Sequence, residues 1–256
     1  MTGMTKDFAL SFDSVAAQYA ASRPGYPPAL FDAVEAMAGL SFKGATVYDI
    51  GAGTGIATRL LRDRGAQVTA VEPGPAMAAQ LRQRLPDVPL IQGDGNSLPL
   101  ASGSADFITY AQSWHWTDPS RSIPEAFRVL APRGALALWW NIPDPKVPWT
   151  AAQEARLQKR FPDYHRHGVA PEAPAIIKTL DDGLRPAFRT LHWRRTVPLD
   201  THLGHLGSRS YFATMGAEVT AEVLADERAE LLRTFPDGQI EESYALDVTV
   251  VRNPPR

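Results

Sequence analysis

Thr46–Arg59 reads TVYDIGAGTGIATR, and this stretch decides the fold. A short apolar, β-branched run leads into glycines at 51, 53 and 55, and a helix-like pattern follows. The glycines leave no Cβ between the turn and whatever lies against it. The backbone can therefore take unusual dihedrals and bring N–H groups close to a ligand. A turn of this kind at the carboxyl end of a strand is where open α/β sheets bind their ligands.

Working outward, strands are predicted at Thr46–Ile50, Gln67–Val71, Pro89–Gln92, Asp106–Tyr110 and Ala135–Trp140. Helices are predicted between them at Gly55–Arg64, Pro75–Leu85 and Ser120–Leu130. Strand, helix, strand at this pace implies a parallel sheet with right-handed crossovers. Upstream, Phe8, Phe12, Val15, Ala16 and Tyr19 mark one side of a helix, and Arg23–Pro28 forms a rigid turn. A helix over Ala29–Leu40 follows, with Leu30, Val34 and Met37 in one stripe.

After Trp140 the regularity breaks. NIPDPKVPW (141–149) is too rich in proline for a strand interior or a helix. Residues 150–185 read as irregular helix interrupted by Pro162, Pro171 and Pro174, and Ala187–Leu199 as a strand. Helices are expected over 200–214 and 217–235, and a last strand over Ile240–Val250.

The 256 residues suit one large domain, and 44% hydrophobic against 21% charged residues is ordinary globular composition. With 26 basic and 28 acidic residues the formal charge is -2, which gives no electrostatic footprint for nucleic acid. The chain has no cysteine, which excludes disulfides, thiolate catalysis and cysteine-ligated metal. Its first residues do not read as a signal peptide, and no apolar run approaches the ~20 residues that span a bilayer. The expectation is a cytoplasmic protein without a membrane partner.

A dinucleotide fingerprint would place its third glycine where this chain has Ile56. Asp49-Ile50-Gly51-Ala52-Gly53-Thr54-Gly55 instead resembles the first motif of the class I S-adenosylmethionine-dependent methyltransferases. Glu72 closes the second strand 21 residues after Gly51, where an acidic residue can accept hydrogen bonds from ribose hydroxyls. Asp94, at the end of the third, matches the family's acidic contact to the adenine amino group. The chain departs from the family at Gly95, where alanine is common. Trp114-His115-Trp116 after the fourth strand, with FDSVAAQYAASRPGYP at the start, resembles the type 11 branch that includes trans-aconitate methyltransferase-like enzymes. The likeness runs over residues 8–140 and is weaker over 199–213, where SRSY (208–211) looks like the same branch's late helix.

The resemblance implies a Rossmann-like α/β fold of seven mostly parallel strands, with helices on both faces and the last strand antiparallel. It also implies one domain over 1–256, with a helical cover at 1–44 and lid segments at 141–185 and 200–235. S-adenosyl-L-methionine is the implied cofactor. Its contacts are expected from Tyr19, Arg23, Asp49, Gly51, Ala52, Gly53, Glu72, Asp94, Gly95, Asn96, Ala111 and Gln112. Tyr19 and Arg23, four residues apart, share a helix face if the helix extends that far.

His115 is the candidate general base, since its ordinary pKa suits neutral pH, and Tyr26 is the second candidate. Trp114, Trp116, Trp140, Arg209 and Tyr211 are the expected substrate contacts. The tryptophans suit a flat aromatic small molecule, an indole or a phenol of secondary metabolism, with carboxylate methylation of the trans-aconitate type as the alternative and a macromolecule acceptor less favoured. His202 and His205 have metal-ligand spacing but no third ligand in the sequence, so no metal is expected. The sequence leaves monomer and dimer equally open.

Overall fold

A computed structural model gives the architecture, and the description covers residues 22–161 and 171–254. The seven strands are β1 (Thr46–Ile50), β2 (Gln67–Glu72), β3 (Leu90–Gln92), β4 (Ala105–Ala111), β5 (Leu130–Pro143), β6 (Ala187–Pro198) and β7 (Gln239–Arg252). They form one sheet in the order β3-β2-β1-β4-β5-β7-β6. The first five are parallel, with Asp49 opposite Ala70 on β2 and Thr109 on β4. Backbone bonds join Asn253 to Gly134 at one end of the β5–β7 pair and Asp144 to Ser243 at the other. β7 therefore runs antiparallel to β5, and the expected fold class is what the chain adopts.

The helices are α1 (Pro28–Ala38), α2 (Ile56–Asp63), α3 (Pro75–Arg84), α4 (Pro119–Val129), α5 (Pro148–Arg160), α6 (Ala173–Leu180), α7 (Leu199–Gly207), α8 (Ser210–Met215) and α9 (Ala217–Thr234). α1, α3 and α4 each begin with proline, whose missing N–H would have no partner in the first turn anyway. Parallel strands buried on both faces read as apolar runs, and β5 is buried from Gly134 through Asn141.

Two expectations are corrected. The proline-rich stretch 141–149 is regular at both ends, with only 144–147 lying between strand and helix. Pro143 is the last residue of β5 and Pro148 opens α5, both places where a missing N–H is tolerated. Residues 200–214 are not one helix, because the chain breaks at Ser208 and Arg209 between α7 and α8.

By internal contacts the described chain divides into two compact units. The sheet unit holds residues 25–140, 171–191 and 246–254. The second holds 22–24, 141–161 and 192–245. In the sheet unit Val47, Ala70, Phe107, Leu136 and Val250 are almost fully buried. In the second, Val197, Leu199, Leu203, Leu231 and Ile240 form the core, with Trp149 and Phe235 packed on it. No described helix is long and apolar enough to cross a membrane.

Candidate active site

Burial sets the glycine turn first. Asp49, two residues before Gly51, is fully buried on β1. Thr58 Oγ1 on α2 donates to one carboxylate oxygen at 2.6 Å, and Thr109 Oγ1 on β4 to the other at 3.0 Å. Burial pushes the carboxyl up to about 6, while these hydroxyls pull it back. Asp49 thus ties β1, β4 and the first turn of α2 together behind the glycines. Its carboxylate is a buried brace behind the turn.

The three glycines do different work, although all have positive φ. A Cβ on Gly51 would lie 2.6 Å from Ser113 Cβ, and one on Gly55 would lie 2.9 Å from Leu85 Cδ1. Those two positions are filled by the protein itself. A Cβ on Gly53 would meet nothing within 4 Å. The turn is closed on two sides and open at Gly53. In the same turn Thr54 Oγ1 is buried with no hydrogen-bond partner among the described residues. An open glycine beside an unsatisfied hydroxyl fits a polar ligand lying on the turn.

Glu72, 6% exposed at the end of β2, holds this turn to the next. Its carboxylate accepts Gly53 N–H at 2.7 Å and Gly74 N–H at 2.8 Å, one on each oxygen. Beyond β3, Asp94 is exposed and accepts Asn96 N–H at 2.7 Å, and Asn96 Oδ1 accepts Asp118 N–H at 2.7 Å. The departure at Gly95 has a steric cause: a Cβ there would sit 2.9 Å from both Tyr110 and Thr117.

At the carboxyl end of β4, Ala111 is half-buried and Gln112 has φ 56°, unusual for a residue with a side chain. Gln112 Nε2 donates to the Tyr26 hydroxyl at 3.3 Å. Ser113 fills the space left by Gly51 and donates its hydroxyl to Ile50 O at 2.5 Å. Trp114-His115-Trp116 form one turn of 3-10 helix. His115 Nδ1 accepts the indole N–H of Trp140 at 3.1 Å, and its ring lies 4.5 Å from that of Trp116. An accepting Nδ1 places the imidazole proton on Nε2. His115 in this arrangement is a hydrogen-bond donor at Nε2.

The tryptophans divide in the same way. Trp114 is 1% exposed with its N–H donated to Ser122 Oγ at 3.0 Å, and Trp140 is 1% exposed. Both pack in the core of the sheet unit. Trp116 remains half-buried at the surface of the turn.

In the second unit Arg23 Nη2 donates to Ser208 O at 3.4 Å. Arg209 pairs with Glu154 at 3.0 Å, both nearly buried, and the Tyr211 ring lies 5.7 Å from Phe161. His202 and His205 converge on Glu242, at 2.7 and 3.7 Å. Tyr19 lies outside the described residues. Sequence reasoning did not find Thr54, Thr58, Thr109 or Ser113. Threonine and serine are common in strands and turns, and nothing in their spacing marks these four.

An open parallel sheet reversed at its far edge, with a glycine turn after β1 and acidic residues after β2 and β3, defines a class I methyltransferase that uses S-adenosylmethionine. The methyltransferase domain model matches residues 48–138. An uncharacterized methyltransferase of Mycobacterium tuberculosis is 34% identical over 236 residues, covering 92% of this chain and 91% of its own. A malonyl-[acyl-carrier protein] O-methyltransferase of Enterobacter lignolyticus is 31% identical over 122 residues, 46% of this chain and 49% of its own. A solved structure from Anaeromyxobacter dehalogenans, provisionally described as a Type II methyltransferase, superposes with a TM-score of 0.66 at 25% identity. It covers 91% of this chain and 99% of its own. The chain belongs to the S-adenosylmethionine-dependent methyltransferases.

Proposed function

We propose that the protein methylates a small-molecule acceptor that arrives already deprotonated, a carboxylate in the first instance. The observation that carries this reading is the Trp140–His115 bond, which leaves His115 a donor with no lone pair available at Nδ1. A donor helps an anionic acceptor to sit and takes no proton from a neutral one. The Enterobacter lignolyticus relative is likewise named for methyl transfer to oxygen, on a malonyl group carried by a protein.

The residues share the work as follows. S-adenosylmethionine supplies a methyl group on a positively charged sulfur. Gly51, Ala52 and Gly53 offer backbone to its amino-acid end, with Tyr19 and Arg23 proposed for the carboxylate. Glu72, at the end of β2, is the proposed acceptor for the ribose hydroxyls. Asp94 accepts from the adenine amino group, with Gly95 and Asn96 beside it. Ala111 and Gln112 flank the methyl end. Methyl transfer needs nucleophile and leaving group in line with water excluded, so the protein contributes mainly position. His115 Nε2 and the Tyr26 hydroxyl are proposed to orient the acceptor, with Arg209 and Tyr211 as further contacts.

A second reading keeps the aromatic acceptor. The half-buried Trp116 ring against His115 offers a flat apolar wall to an indole or phenol. The experiment that separates the two is incubation with methyl-labelled S-adenosylmethionine and a panel of carboxylic acids, phenols and indoles. Label recovered as a base-labile ester supports the carboxylate reading. Label on a phenol oxygen, a nitrogen or a ring carbon overturns it.

A further inference from the structure

Among the described residues two without glycine's freedom have positive φ: Gln112, at the candidate active site, and Arg133 with φ 68°. Arg133 belongs to a bulge near the start of β5. The β4–β5 register passes from Ala105 opposite Leu130 to Phe107 opposite Ala135, so one strand holds extra residues there. Bulges re-aim side chains, and left-handed conformations in ordinary residues persist where the surroundings enforce them. Here Asn253 is the enforcer. Its side-chain amide donates to the carbonyls of Leu130 and Ala131, and its carbonyl accepts Arg133 N–H at 3.2 Å.

The bulge lies on a cavity of about 490 Å³ wholly within the sheet unit. Three arginines line it, Arg133, Arg185 and Arg252, and no acidic residue does. All three are exposed, and none forms an ion pair among the described residues. Arg185 Nη1 donates only to the carbonyls of Asp182 and Leu184. Met37, Leu184 and Ala187 supply an apolar wall. The cavity sits where the parallel strands begin, at the edge of the sheet opposite the glycine turn, so it is separate from the cofactor seat.

We infer that this cavity binds a small molecule carrying clustered oxyanions, either a diphosphate or a polycarboxylate. Three unpaired guanidinium groups match such a charge, and each can donate bidentately. A cavity of this size is that of a metabolite site.

The test is calorimetric titration of the full chain, with inorganic pyrophosphate in one arm and citrate in the other. One ion is expected to bind at 1:1 stoichiometry, equally well with saturating S-adenosylhomocysteine present, and more weakly as salt is raised. The arm that binds tells phosphate from carboxylate chemistry. Arg133→Gln, Arg185→Gln and Arg252→Gln are each expected to weaken that binding about tenfold or more. Arg233→Gln on α9 should leave it unchanged. The inference is overturned if neither ion binds, if S-adenosylhomocysteine displaces the ion, or if the three variants bind as the parent does.

Discussion

The indole N–H of Trp140 on β5 is donated to Nδ1 of His115, 25 residues earlier in the chain, at 3.1 Å. One buried side chain thereby decides which nitrogen of a half-buried one carries the proton. Trp140→Phe keeps most of the ring volume and removes the N–H. Its expected effect is a turnover about tenfold slower with unchanged cofactor affinity, and a pH–rate profile that gains a histidine titration. His115→Gln, which retains a donor, should keep more activity than His115→Ala. Equal losses in the two would mean that the donor has no role.

Gly51 and Gly53 separate folding from binding. Gly51→Ala drives a methyl group into Ser113 and is expected to cost about 3 kcal/mol of stability. Gly53→Ala carries only the left-handed backbone penalty, about 1 kcal/mol. Denaturant unfolding of both variants checks this. Equal losses would mean that the open side of Gly53 is not open.

Asp49 gives stability a specific pH signature. Its carboxyl is raised to about 6 in the fold, against an ordinary 3.8, so the native state holds the proton longer than the unfolded chain. Its contribution is fully present below about pH 4 and is lost as pH rises through 6, by up to about 3 kcal/mol. Buried His205, lowered to about 3, titrates with the opposite sign over part of this window. The measurement is therefore the difference between parent and Asp49→Asn, whose stabilities should converge or cross as pH rises from 4 to 7. A constant difference would contradict the shift.

In the second unit, Glu242 is 2% exposed and holds a buried network together. It accepts from Arg195 Nε at 2.6 Å and the Tyr244 hydroxyl at 2.7 Å, and pairs with His202 at 2.7 Å. These partners keep its carboxyl below the usual range despite burial. Glu242→Gln strands the Arg195 charge and is expected to destabilise the fold by about 3 kcal/mol. Thermal unfolding checks it, and an unchanged midpoint would show the network to be dispensable.

The sheet was legible because its signals are periodic and local. Glycines at 51, 53 and 55, Glu72 and Asp94 each fall at the end of a strand whose apolar run marks it. What is not legible in the sequence depends on long-range contacts. Trp114 and Trp140 look like pocket walls in sequence, and only packing shows them in the core. Asp49 looks like a ligand until Thr58 and Thr109 arrive from other elements. Prolines at 143 and 148 look like breakers until the strand end and helix start fall on them.

The claim on which the rest stands is that S-adenosylmethionine lies on the open side of Gly53 with Glu72 beneath it. Calorimetric titration with S-adenosylhomocysteine tests it most directly, on the parent and on Gly53→Ala shown to be folded by its unfolding midpoint. The expected result is one site in the parent and a loss of affinity of about tenfold or more in the variant. Equal affinity in the two proteins would contradict it.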